Sequence, residues 1–102
     1  MTDDTVAAFY LDHTVVLTEA ELVERSGLTL VELRALAESG ALPFGGAGRF
    51  DIECLGVART AQRLRDELAL EDAHALALVL RLRQRIAALE AQIDALRAGL
   101  WR

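Results

Sequence analysis

A mainly all-α fold is expected from three features of this 102-residue chain. Two short segments open on the same helix-capping signature, eleven positions apart. A third keeps its apolar residues at spacings of three and four, and the last quarter carries an unbroken apolar seam at the same alternating intervals. A composition of 53% hydrophobic and 26% charged residues is too apolar for a disordered chain. The length suits one small domain, or a compact domain carrying an extended helix. A fold of this size buries only about 60–70% of the surface of its unfolded chain, so a partner would add stability.

The elements follow in order. Phe9-Tyr10-Leu11 and Val15-Val16 suit a short strand. Thr18-Glu19-Ala20-Glu21 is a capping box, in which the Thr18 hydroxyl accepts from the Glu21 backbone while the Glu21 carboxylate reaches back. Leu17 and Leu22 flank it as a hydrophobic staple. Thr29-Leu30-Val31-Glu32 repeats the device, with Leu28 and Leu33 as the staple pair. Gly27 and Gly40 stand where each helix must stop in a left-handed conformation. Two short helices joined by so tight a turn make a helix-turn-helix.

Pro43 to Phe50 is too glycine-rich for a helix and reads as a turn or small wing, with Phe44 and Phe50 folding back on the core. A third helix is expected with Asp51 as its cap and Leu55, Ala58, Ala61, Leu64 and Leu68 on its buried face. The final segment places Val79, Leu82, Ile86, Leu89, Ile93, Leu96 and Leu100 at the a and d positions of a coiled coil. β-Branched residues at a and leucine at d favour a parallel two-stranded pairing, with Arg85 and Glu90 at g and e positions. The expected organisation is a winged helix-turn-helix module over residues 1–70 and a long dimerising helix over 71–102. The competing expectation is that the apolar stripe packs on its own domain.

No apolar run approaches the roughly 18 residues of a membrane span. The start, MTDDTVAAFY, lacks the basic region and long apolar core of a signal peptide. A lone Cys54 permits no internal disulfide and fits a reducing compartment. The expected location is therefore cytoplasmic.

Chemistry is hard to assemble from these residues. His13, His74 and Cys54 stand in no metal-ligand spacing, so neither a metal nor a cofactor is expected. Cys54 near a helix start could carry a lowered pKa, but a small buried thiol is the plainer reading. The glycines at 45, 46 and 48 lack the lysine and hydroxyl of a phosphate loop. No catalytic constellation emerges, and the chain is not expected to be an enzyme.

Charge then argues about partners. The formal net charge is −5, and every basic residue is arginine. Residues 1–53 carry −7 and residues 54–102 carry +2. In a helix-turn-helix that binds DNA the second helix offers basic or amide side chains to the major groove. Here Leu30 to Glu38 holds one arginine and two glutamates. Acids facing phosphates repel them, so DNA is an unfavoured partner and a basic protein surface a favoured one.

The runs Leu17 to Leu22, Ser26 to Leu28 and Leu33 to Leu42 resemble the MerR-type winged helix-turn-helix. Arg49-Phe50-Asp51, Ala61 to Leu70, Ala77 to Leu80 and Arg85 to Glu90 extend the similarity to the chaperone-modulator family CbpM, over roughly residues 9–100. The chain departs from that pattern in having His74 where the family often has glycine. The resemblance implies a non-enzymatic modulator that binds the J-domain of a DnaJ-like co-chaperone of the CbpA type. It further implies inhibition of that co-chaperone's stimulation of Hsp70. J-domains present a basic helix to Hsp70, and an acidic module could mask it. Glu19, Glu21, Glu24, Glu32 and Glu38 on the first two helices, or Asp66 and Glu67 on the third, are the candidate contacts. The competing expectations are a MerR-like transcriptional regulator touching DNA through Arg25, Arg34 and Arg49, and a dimerisation adaptor of other partners.

Overall fold

In the computed structural model, residues 16–43 and 48–100 are described. Phe9 to Leu11, His13, Val15 and Phe44 lie outside the described residues, so the front of the expected strand and half of the aromatic pair do too. The elements are β1 (Val16–Thr18), α1 (Glu19–Ser26), α2 (Leu30–Glu38), β2 (Arg49–Asp51), α3 (Glu53–Leu68) and α4 (Ala73–Leu100). The fold is mainly helical.

Both capping boxes form. Thr18 Oγ1 accepts from the Glu21 amide at 3.1 Å, and the Thr18 amide donates to the Glu21 carboxylate at 3.0 Å. Thr29 and Glu32 repeat this at 3.1 and 2.8 Å. Each box satisfies two of the amides that a helix start leaves without intrahelical partners. Gly27 ends α1 at φ 79°, and Gly40 follows α2 at φ 81°, a backbone region that a side chain disfavours. The staple leucines Leu17, Leu22, Leu28 and Leu33 are all buried.

β1 pairs antiparallel with β2, Val16 opposite Asp51 and Thr18 opposite Arg49. This two-stranded ribbon ties the start of α1 to the start of α3. It also corrects the expected third cap: Asp51 is in the strand, and α3 begins after Ile52 with no side-chain cap. Asp51 is held extended by the ladder, so the residue that enters the helix is an isoleucine in helical conformation.

One core joins the elements. Leu22 of α1, Leu33 and Leu36 of α2, Cys54, Ala58, Ala61 and Leu64 of α3, and Leu76, Ala77 and Leu80 of α4 are buried together. Each fully buried leucine contributes about 1.5–3 kcal/mol relative to leaving it in water. Three alanines and a cysteine on the inner faces of α3 and α4 let those helices lie close to their neighbours. The expected inner face of α3 holds with one exception: Leu68 is exposed. The helix ends a turn beyond the core in a left-handed Ala69, and the chain turns Leu70 inwards instead.

Helix α4 has two parts of different character. Its first two turns belong to the core of the residues before it. Gln84 then fastens it by donating from Nε2 to the Ala41 carbonyl at 2.9 Å. From Arg85 to Leu100 every residue is exposed. No described helix is long and apolar enough to cross a membrane.

Candidate functional site

The acids singled out by charge fall into three situations. Glu19 at the start of α1 holds Arg34 of α2 in a two-pronged ion pair, Nε to Oε2 and Nη2 to Oε1, both at 3.2 Å. Hydrogen bonding to Glu19 raises the Arg34 guanidinium pKa above its ordinary value. Glu21 is engaged in its cap, and its carboxyl sits below the usual range because the Thr18 amide donates to it. Glu24, Glu38 and Glu67 are exposed, with no ion-pair partner among the described residues.

Glu32 is turned inwards, only 8% exposed, and so leaves the group of candidate contact acids. Its Oε1 takes Arg65 Nη1 of α3 at 2.7 Å while also accepting from the Thr29 amide. The same Nη1 donates to the Gly27 carbonyl at 3.1 Å, and Arg65 Nε donates to Asp66 at 3.0 Å. Hydrogen bonding to Asp66, then to Glu32, raises the Arg65 pKa. Gln62 adds a hydrogen bond to Asp66, which is thus held in a side-chain network on α3. Arg65 pins the turn between α1 and α2 onto α3 by contacting the turn's carbonyl and the cap of the helix that follows it.

The second helix shows an unusual outer face. Leu30 and Val31 project into solvent, Val31 at 70% exposure, followed by Arg34, Ala37 and Glu38. The only cation in α2 is the arginine already forked by Glu19. Glu38 also borders a shallow hollow of about 440 Å³ shared with Ser39, His74, Leu78 and Arg81. Leu78 is exposed there. The α2 face and this hollow together expose Leu30, Val31 and Leu78 around one carboxylate, Glu38, with Arg81 on the far side of the hollow.

Of the seam, Val79 is half-buried against its own core, unlike the six residues that follow it. Leu82, Ile86, Leu89, Ile93, Leu96 and Leu100 are exposed along the outer stretch of α4, up to 81% at Leu100. The uncovered stripe therefore begins at Leu82.

Cys54 is fully buried, and its Sγ donates to the Pro43 carbonyl at 2.9 Å. Burial first, and the charge of Asp51 second, push its thiol pKa up. That is the opposite of what a nucleophile needs. Among the described residues no group of three metal-ligating side chains forms.

The Arg65 clasp is not legible in the sequence, because Arg65 and Glu32 lie 33 positions apart and no local periodicity links them. The N3 position of Glu32 in its box was the one available signal. No protein-family model matches the chain, and no curated protein matches it either.

Proposed function

We propose that the chain is a non-enzymatic chaperone modulator. In this reading it binds the J-domain of a DnaJ-like co-chaperone of the CbpA type and blocks its stimulation of Hsp70. The module of residues 16–68 is read as a MerR-like winged helix-turn-helix, with the β1–β2 ribbon as the stem of the wing. The observation that carries the reading is the outer face of α2. A helix that would have to read bases presents Leu30, Val31, Ala37 and Glu38, and its single arginine is already neutralised by Glu19. Apolar side chains beside the uncommitted Glu38 suit a partially basic protein surface, and they oppose entry into a groove lined by phosphates.

The test uses purified chain, an Hsp70 and a CbpA-type co-chaperone. The chain is expected to suppress co-chaperone-stimulated ATP hydrolysis without changing the basal rate. Reversing the uncommitted acids (Glu24→Arg, Glu38→Arg, Glu67→Arg) weakens J-domain affinity by roughly tenfold or more, equivalent to about 1.4 kcal/mol. Unchanged affinity across that series removes the electrostatic mechanism. Failure to bind J-domains, together with a specific, salt-sensitive DNA mobility shift, replaces the reading by a transcriptional regulator.

The uncovered stripe of α4 supports a second part of the proposal, a parallel homodimer through residues 82–100. Isoleucine at 86 and 93 with leucine at 82, 89 and 96 is the pattern that favours two parallel strands. In that register Arg85 of one chain faces Glu90 of the other. The protein is expected to sediment at about twice the 11.1 kDa of one chain. Ile86→Asp combined with Leu89→Asp returns it to monomer mass with the core intact. A wild-type chain that sediments as a monomer at every concentration removes the dimer.

A further inference from the structure

On the side of the molecule where α1 meets α3, the fold assembles a cluster that the acidic composition hides. Arg25 and Ser26 from the end of α1 and Gly56, Arg59, Gln62 and Arg63 from α3 line one open depression of about 450 Å³. No carboxylate lines it. Arg59 and Arg63 stand four residues apart on one helix, where like charges repel, and neither has an ion-pair partner among the described residues. Arg25, brought in from 34 positions earlier in the chain, has only Glu21 at the outer limit of ion pairing, 4.0 Å. Gly56 leaves the wall between them open, for a side chain built there would meet nothing within 4 Å.

We propose that this depression is a binding site for a small, multiply charged anion of the phosphate class, such as a phosphate monoester or pyrophosphate. Guanidinium forks match tetrahedral oxyanions with paired N–H donors. Three of them lining one hollow supply the charge that matches a dianion or trianion, and the second N–H of the Gln62 amide, whose first is held by Asp66, adds a neutral donor. Bound anion relieves the Arg59–Arg63 repulsion, which nothing else in the lining relieves. A small ligand is favoured over a nucleic-acid backbone because the cluster is local. Glu24 adjoins Arg25, and Asp66 and Glu67 follow Arg63 by one turn, so an extended polyanion would run onto acids at both ends. The site is independent of the J-domain reading, since it uses none of the acids or apolar residues of the α2 face.

The experiment is a calorimetric titration of the full chain with sodium pyrophosphate at low ionic strength, paired with thermal melts in its presence and absence. Wild type is expected to bind one pyrophosphate per chain and to melt higher when it is present. Arg59→Gln with Arg63→Gln lowers the affinity on the order of tenfold or more and abolishes the thermal gain, since two bidentate charge-assisted contacts are lost. Without anion this variant melts no lower than wild type, because a like-charge pair has been removed. Arg81→Gln with Arg97→Gln, of identical net charge, binds as wild type does. Equal weakening by the two double variants, or no binding by wild type, overturns the site. A duplex DNA fragment that binds and displaces pyrophosphate also overturns it, by assigning the arginines to a nucleic-acid surface.

Discussion

Leu76→Ala is expected to lower the unfolding free energy by about 2–5 kcal/mol, the range for removing a fully buried leucine. Leu76 is 0% exposed and belongs to the first turns of α4, where that helix enters the core shared by α2 and α3. Its side chain is enclosed within the single buried cluster of the fold, whose packing leaves the site little room to collapse, so the upper half of the range is favoured. Since small domains have about 5–15 kcal/mol of stability in total, this single change consumes a large share of it. For a chain of this length the melting temperature falls by roughly 4–8 °C per kcal/mol. Leu96→Ala, on the same helix but 69% exposed, is the control. It leaves the stability of the core unchanged while weakening the proposed association of the stripe. Chemical denaturation at low protein concentration reads the first effect, and sedimentation reads the second. Equal losses for the two substitutions would contradict the division of α4 into a core part and a free part.

The Arg65 clasp provides the second large effect, and two substitutions at Glu32 separate its components. Glutamine at this position keeps the capping box, because its side-chain carbonyl can still accept from the Thr29 amide. It removes the charge opposite Arg65 and leaves a neutral carbonyl oxygen in its place, so that Asp66 becomes the only carboxylate on that guanidinium among the described residues. The pair is only partly shielded, with side-chain exposures of 21% and 10%, so the loss is kept near 1–2 kcal/mol rather than the 3–5 of a fully buried pair. Glu32→Ala removes the cap contact as well and adds about 1 kcal/mol. The expected order of stability is wild type, Glu32→Gln, Glu32→Ala, read from urea midpoints at constant slope. If glutamine and alanine destabilise equally, the charge carries the whole effect and the cap contributes nothing. If glutamine is neutral, the ion pair is the idle part.

What could be read from the sequence was whatever is written in consecutive residues. The two boxes, their staples and the glycine stops are local devices with fixed offsets, and all of them form. The amphipathic face of α3 was legible up to Leu64. Leu68 was not, since a helical period continues regardless of whether a neighbouring element is still there to cover it. Asp51 misled for a related reason: aspartate is a good cap, but its backbone was already committed to a ladder with Val16, a residue 35 positions away. The seam was legible as a period, and its starting point was not. Val79 obeys the heptad as well as Ile86 does, and only the fold shows that it faces its own core. Among the acids, composition located the charge without distinguishing carboxylates tied up in caps and ion pairs (Glu19, Glu21, Glu32) from those left free (Glu24, Glu38, Glu67).

The two-part construction of α4 has a consequence for how the molecule comes apart. Its 28 residues span about 42 Å at 1.5 Å per residue, but only the stretch up to Gln84 is anchored. The remaining sixteen residues form a helix of marginal length for survival alone in water, and in the proposed dimer their order is tied to pairing with a second chain. Amide hydrogen exchange should therefore divide within one continuous helix. Protection before Arg85 follows the unfolding of the core and is indifferent to dilution. Protection after it falls as the protein is diluted. In the proposed dimer a single rod of backbone thus reports two separate equilibria, one within the chain and one between chains.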